Sequence, residues 1–491
     1  MGAGRILDAL AGLARSDRAS VSVMVASAGT VVALSGLLSF DIARAHLAGS
    51  RLQTAVDAAT LAATRDIDSP TLTDDIRQVF DANFPPGYLG SSIASFDVAV
   101  NQQNGLVRGL SLTVSAEIPS PIAGMIRAAG PDFHSFQAAA VSERRTYGAE
   151  IAMVLDNTGS MNGQKIRDLR HAAQSLTDII FHGDESVPNL YVAVVPYTAT
   201  VNIGAQHEAW LRDLALNPAA PASMADYWPT VWKGCVLARP APYDQTDDPP
   251  GIQGFDPQFW PSSIDPATGD PDPYHDRSPN VWPDAGDQVD ERQSARNNGY
   301  GPNLGCGPPI LPLTASYTEV SQAITDLDAW HRGGTMGNLG LVWGWRVLSP
   351  HWTGLWIHTD GTVLTTRPLP HDQPLNAKII VMMTDGDNQW YRDDLTAYGR
   401  PDDNSLAGES IDDRMLASCA DIKTAGVLIY TITFGGSVSG STADLYSACA
   451  SEPGDDPRYY GQKYFHAPDR AQLEMAFKDI GGQLTELRLV Q

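Results

Sequence analysis

The sequence predicts an α/β protein carrying an N-terminal membrane helix, and three observations lead there. An uncharged stretch runs from Ala19 to Phe40, apolar runs alternate with amphipathic helical patterns from Glu150 onward, and a Pro-, Trp-, Asp- and Gly-rich excursion breaks that rhythm between Gly204 and Ile310. A chain of 491 residues is too long for one hydrophobic core and suits two or three domains of roughly 100 to 200 residues. Apolar residues at 43% with charged residues at 18% supply real cores, which excludes a mainly disordered chain. The formal net charge of −24 leaves few cations to replace phosphate counterions, so no nucleic-acid partner is expected.

Residues 1–18 form a cytoplasmic N-terminus in this reading, and 19–40 the transmembrane helix. As a helix this stretch rises about 33 Å, close to the ~30 Å hydrocarbon thickness of a bilayer. Ala43-Arg44-Ala45 matches a cleavage consensus. The apolar stretch nevertheless exceeds the usual ~7 to 15 residues of a signal sequence, so an uncleaved anchor is expected. Arginines flank the span on both sides (Arg5, Arg15 and Arg18; Arg44, Arg51 and Arg65), and charge alone does not orient it. Ser22, Ala26, Gly29, Ala33 and Gly36 share one helical face where small side chains let another helix approach. Such spacing suits a membrane partner, although Ala and Gly are also common in spanning helices. Residues 41–67 are rich in good helix formers and continue the helix as a stalk to about Asp66, before Pro70.

Residues 68–147 read as a small α+β module: a helix around Asp75 to Phe84, strands at Phe96–Val100 and Leu110–Val114 about a turn at Asn101–Gly105, and a third strand near Ala138–Ser142. Residues 148–491 read as a doubly wound α/β domain. Its apolar runs at 151–155, 191–195, 379–383 and 427–434 are separated by helices at 166–180, 411–424 and 473–487 and by one bearing Val320, Ile324, Leu327 and Trp330. Continuous apolar runs between helices mean strands buried on both faces, hence a mostly parallel sheet.

The excursion, about 205–310, is too long for a structureless loop, and Trp228, Trp232, Trp260 and Trp282 are expected to give it a local core. Only four cysteines occur, all beyond the span, with neither a C-x-x-C pair nor nearby histidine ligands. They read as two disulfides in an oxidising compartment, against the alternative of four buried thiols in a reducing one. Of three possible connectivities we expect Cys235 with Cys306 and Cys419 with Cys449.

Ligands of open α/β sheets sit beyond the carboxyl ends of the strands. Two carboxylates stand there: Asp156 after Ile151–Leu155, in Asp156-Asn-Thr158-Gly-Ser160, and Asp385 after Ile379–Met383, in Thr384-Asp385-Gly386. Thr335, in His331-Arg-Gly-Gly-Thr335 before a helical stretch, adds a third hydroxyl. Carboxylates and hydroxyls are hard ligands, so the cofactor expected is a divalent cation, Mg²⁺ first, with Mn²⁺ or Ca²⁺ also compatible. Asp385-Gly-Asp387-Asn388 and Asp265–Asp272 are further acidic loops without full EF-hand spacing, and are read as solvated. His171, His207 and His466 lack a paired ligand pattern and read as surface or structural.

Asp156, Thr158, Ser160, Thr335 and Asp385 resemble the metal-ion-dependent adhesion site of von Willebrand factor type A domains, with Thr158 where Ser is commoner. The resemblance implies a metal-dependent site that takes an acidic side chain of a protein partner. Arg51-Leu-Gln53 and Asp57-Ala-Ala59 after an N-terminal span resemble TadG-like proteins of the tight-adherence (Flp) pilus machinery, in which a pilin-like N-terminal part carries a von Willebrand A domain outside the bacterial inner membrane. That implies a single-pass protein with a periplasmic or extracellular C-terminal domain, meeting pilus-assembly or pilin-like membrane proteins through its span. The function implied is assistance in pilus assembly or attachment; an envelope adhesin or scaffold unrelated to pili and a minor pilin-like subunit are the alternatives. No catalytic residue is assigned. Haloacid-dehalogenase-type phosphatases would place a second Asp where Thr158 stands, and no Gly-rich Gly-Lys-Ser/Thr loop accompanies the strands.

Overall fold

Asp17–Ala63 form one continuous helix, α1, in the computed structural model. The structure describes residues 17–63, 71–103, 106–120, 135–145, 147–212, 227, 230–260, 262, 280, 291, 300–390, 396–398, 410–453 and 461–488. Early in α1, Val21, Met24, Val25, Val31, Val32 and Phe40 are exposed. Ser27, Thr30, Ser35 and Ser39 donate to carbonyls three or four residues back, so their hydroxyls are satisfied within the helix. Among the described residues α1 is the one helix long and apolar enough to cross a membrane. The expected helix end near Asp66 lies outside the described residues.

The second half of α1 faces protein. Leu52, Ala55, Val56 and Ala59 fall on one helical face and are buried against α2 (Leu72–Asn83), through Ile76 and Phe80, and against an antiparallel sheet. That sheet has the order β1 (Ser92–Gln103), β2 (Leu106–Pro119), β3 (Ser135–Arg145). Strict alternation in β2 sends Leu110, Leu112, Val114 and Ala116 into the same core. Buried Asp41 accepts from Ser120 Oγ at 2.5 Å, and Arg44 donates to Pro119 O, so the start of this packed half is tied to the end of β2.

The second unit, residues 147–490, alternates strand and helix. In order these are β4 (Gly148–Asp156), α3 (Gln164–Phe181), β5 (Leu190–Tyr197), β6 (Val201–Asn202), β7 (Cys235–Val236), β8 (Leu311–Thr314), α4 (Tyr317–Thr325), β9 (Gly334–Thr335), α5 (Gly337–Leu348), β10 (Asn376–Thr384), β11 (Gln389–Trp390), α6 (Ile411–Thr424), β12 (Leu428–Phe434), α7 (Gly440–Cys449), β13 (Tyr464–Ala467) and α8 (Arg470–Arg488). The main sheet runs β13-β12-β10-β4-β5-β8, parallel except for β8 at its edge. It is buried on both faces: Ile151, Met153 and Leu155 of β4 pack in the core of α3 and α8, while Ala152 and Val154 pack in that of α5. The fold is therefore the expected α/β arrangement.

Two glycines let α5 approach the sheet. A Cβ on Gly340 would meet the Tyr197 ring at 2.6 Å, and one on Gly344 would meet Val154 Cγ2 at 2.5 Å. The helix expected to reach Trp330 instead stops at Thr325. The three-residue spacing of Ile324, Leu327 and Trp330 continues past its end because Leu327 is buried from a turn and the Trp330 backbone bridges to the chain at Thr158.

The described part of the excursion also packs against the rest of the domain. Trp232 and Trp260 are buried, and Trp228 and Trp282 lie outside the described residues. A larger aromatic cluster joins Trp210 and Phe255 of the excursion to Trp343 of α5 and to Trp352 and Trp356 beyond it, with ring centroids 5.0 to 6.4 Å apart. Fully buried Arg346 of α5 lies over the Trp343 ring and donates to Tyr243 O and Thr246 O, carbonyls that also accept from Arg239, so two arginines gather this loop. Disulfides join Cys235 to Cys306 and Cys419 to Cys449.

Candidate metal centre

From β4 the chain proceeds to β5 and β8 on one side of the sheet and later to β10, β12 and β13 on the other. The carboxyl ends of β4 and β10 therefore flank the topological switch point, where open α/β sheets bind ligands. Asp156 is the last residue of β4, and Asp385 directly follows β10. The loop after Asp156 turns tightly, with Gly159–Met161 in one 3₁₀ turn, and this returns Thr158 and Ser160 toward the strand end.

Four of the five expected ligands are joined in one chain of hydrogen bonds. Asp156 Oδ1 accepts from Thr158 N at 2.9 Å and from Thr158 Oγ1 at 2.7 Å. Thr158 Oγ1 and Ser160 Oγ are 2.9 Å apart, and Ser160 Oγ donates to Asp385 Oδ1 at 2.5 Å. Each hydroxyl carries a single proton. Once Thr158 has donated to Asp156 and Ser160 to Asp385, the contact between the two hydroxyl oxygens holds no proton. Two carboxylates face one ammonium here, that of Lys165 on Asp385 Oδ2, so the set keeps a net negative charge, and its carboxylate and hydroxyl chemistry fits a hard divalent cation.

The electrostatics agree with that net charge. Asp156 is completely buried, and burial first, then the charge of Asp385, push its carboxyl up to about 6 in spite of the bonds from Thr158 and Thr384. Beside it, the Tyr197 hydroxyl donates to Met383 O, and burial raises its pKa well above the ordinary phenol range.

Thr335 reaches the same place from β9. Trp330 N donates to Asn157 O, and Asn157 Nδ2 donates to Asp328 O, laying this segment beside the Asp156 loop. Thr335 lines one cavity of about 350 Å³ with Thr158, Ser160, His331 and Asp387. The hydrogen-bond chain of the other four does not extend to it. Among the described residues no three His, Cys, Asp or Glu side chains converge; hydroxyls complete the acidic pair.

In the second acidic loop Asp387 is exposed, as expected, while Asp385 is buried. Ser439 and Thr442, at the start of α7, both donate to Asp387, holding its carboxyl below the ordinary aspartate range. Asn388 accepts from Gly337 N and donates to Asp412, so Asp387 and Asn388 act as loop tethers. Asp265–Asp272 lie outside the described residues. His207 is buried and structural: Nδ1 bonds Ile203 O at 2.6 Å and Nε2 accepts from Ile357 N, which defines a neutral tautomer. His171 and His466 are exposed.

Sequence reasoning missed three contributors. Lys165, in the first turn of α3, places Nζ 2.6 Å from Asp385 Oδ2. The available signal was a lysine at the positive end of a helix dipole, which needs an anion nearby. Thr384 Oγ1 donates to Asp156 Oδ2 at 2.8 Å, a role its position at the strand end allows but does not announce. The His331 ring lies against Gly159, where a Cβ would come within 2.5 Å of Nδ1, so the loop has room only for glycine there.

No protein-family model matches the chain, and no curated protein matches it in sequence. Solved structures similar to it in shape include the pilus adhesin SpaC from Lactobacillus rhamnosus GG, at 9% identity and a TM-score of 0.34, covering 80% of this chain and 34% of that one. A von Willebrand factor type A protein from Catenulispora acidiphila aligns at 11% identity and a TM-score of 0.30, over 80% of this chain and 49% of that one. The vWF domain of the type V pili tip protein Mfa5 from Porphyromonas gingivalis aligns at 10% identity and a TM-score of 0.33, over 69% of this chain and 95% of that one. The chain thus spans a third to a half of the length of the first two.

Proposed function

We propose that this is a membrane-anchored envelope protein that binds a protein partner through a divalent cation, Mg²⁺ first, held by Asp156, Thr158, Ser160, Thr335 and Asp385 in a von Willebrand A-like domain. The observation that carries the reading is the hydrogen-bonded chain from Asp156 through Thr158 and Ser160 to Asp385, which brings two carboxylates and two hydroxyls together. A cation bound there would offer an exchangeable water position to a partner's carboxylate. Asp156 and Asp385 would balance the ion's charge and the three hydroxyls would complete its shell; none is placed as nucleophile or general base, and we assign binding rather than catalysis.

We place the protein at the bacterial inner membrane, crossing once by α1, with residues 148–491 outside the cytoplasm, where its two disulfides would persist. The biological role we propose is assistance in assembling or attaching a tight-adherence pilus. Support comes from the long N-terminal helix, apolar and exposed in its first half and packed on a small antiparallel sheet in its second. Co-purification of the detergent-solubilised full chain from a pilus-bearing host tests this. Recovery of pilus-machinery membrane proteins in Mg²⁺, lost with a chelator, is the expected result; a preparation without them sends the function to an adhesin or scaffold outside pili.

The packing of α1 on β2 also favours a second reading, a minor pilin-like subunit. It predicts the chain in sheared, sedimented fibres, whereas an assembly protein stays with the cell membrane.

A further inference from the structure

We infer that Lys165 is an internal counter-cation that holds the metal-free site closed, and that a divalent ion must displace it from Asp385. The inference rests on the metal-binding reading above and assigns a residue outside the five ligands. Both oxygens of Asp385 are engaged: Oδ1 accepts from Ser160 and Oδ2 takes Lys165 Nζ at 2.6 Å. The Asp385 side chain has no exposure, while that of Lys165 is 34% exposed, so the lysine meets solvent along part of its length and the carboxylate does not. A Cβ built on Gly435, just after β12, would stand 3.8 Å from the Cε and Nζ of Lys165, so the glycine leaves space beside the lysine end.

Two carboxylates opposed by one ammonium leave a net charge of about −1 at the site. An arriving divalent ion faces both the competition of Nζ for Asp385 and direct repulsion by it, so the apparent affinity is reduced by the fraction of molecules in the bridged state. In exchange, the metal-free protein never holds two uncompensated buried carboxylates. The partial exposure of Lys165 gives it somewhere to go: the ammonium swings into water as the ion enters.

The test is calorimetric titration of Mg²⁺ into the detergent-solubilised full chain and its K165M and K165R variants, with thermal unfolding in chelator and in Mg²⁺. The expected result is an Mg²⁺ Kd at least about tenfold tighter in K165M and near wild type in K165R. The K165M unfolding temperature should fall in chelator and recover in Mg²⁺. Equal Mg²⁺ affinity in K165M and wild type would overturn the role of Lys165 while leaving the metal site standing. Absence of Mg²⁺ uptake in all three proteins would overturn the metal reading itself and this inference with it. Identical behaviour of K165M and K165R would make the effect one of packing and also overturn it. K165Q guards against a packing defect: failure of both uncharged variants to fold in Mg²⁺ contradicts the inference, since the ion should replace the lost charge.

Discussion

The hydroxyl of Ser160 donates to Asp385 Oδ1 at 2.5 Å across 225 residues of sequence. That single bond links the loop after β4 to the loop after β10, and so the two halves of the switch point. Replacing Ser160 with alanine removes a ligand and the link at once. Mg²⁺ affinity should drop about tenfold or more, by titration calorimetry, with the far-ultraviolet circular dichroism unchanged.

His207 should make the protein acid-sensitive. Burial holds its pKa down at about 4, against 6.5 for an ordinary histidine, while the ring accepts from Ile357 N as a neutral base. Between pH 6.5 and about 4 the unfolded chain binds the proton and the folded chain does not, so stability is lost as pH falls through this window. The full effect is about 3 kcal/mol. Asp156, raised to about 6, acts oppositely over part of the same range. The slope should therefore be read as the difference between wild type and H207Q in unfolding temperature against pH, and the variant should lack the loss.

Gly344 stands where α5 meets β4, and a methyl there would lie 2.5 Å from Val154 Cγ2 in a fully buried layer. Neither the helix nor the central strand has slack to give, so Gly344→Ala should destabilise by about 1–3 kcal/mol, measured by denaturant titration.

The Cys235–Cys306 disulfide spans 71 residues and closes the excursion. In the loop-closure model its loss costs about 4 kcal/mol, and the C235S/C306S double variant should show that drop in unfolding free energy. Protease cuts should concentrate between residues 205 and 310.

The sheet was legible where burial is total and continuous. Ile151–Leu155 and Ile379–Met383 are uninterrupted apolar runs because both faces of β4 and β10 are covered, and polar residues at their ends exposed Asp156 and Asp385 as candidates. The edge strand β8 was not legible: four residues with Pro312 among them carry no periodicity, and only pairing with β5 makes them a strand. The limits of α5 were hidden for the opposite reason, since all twelve residues from Gly337 to Leu348 are buried and a helix covered on every side shows no amphipathic stripe. The ligand residues could be proposed from motif and position. Lys165 was harder to find, because the motif names oxygen donors, and its place at a helix N-terminus signals the need for an anion without saying which one.

The most direct test of the account is titration of Mg²⁺, Mn²⁺ and Ca²⁺ into the detergent-solubilised full chain and its D156N variant by calorimetry. The wild-type chain should take up one divalent ion, and Asp156→Asn should abolish that uptake without loss of fold. No heat of binding from any of the three ions at millimolar concentration, or equal uptake by the variant, would contradict it.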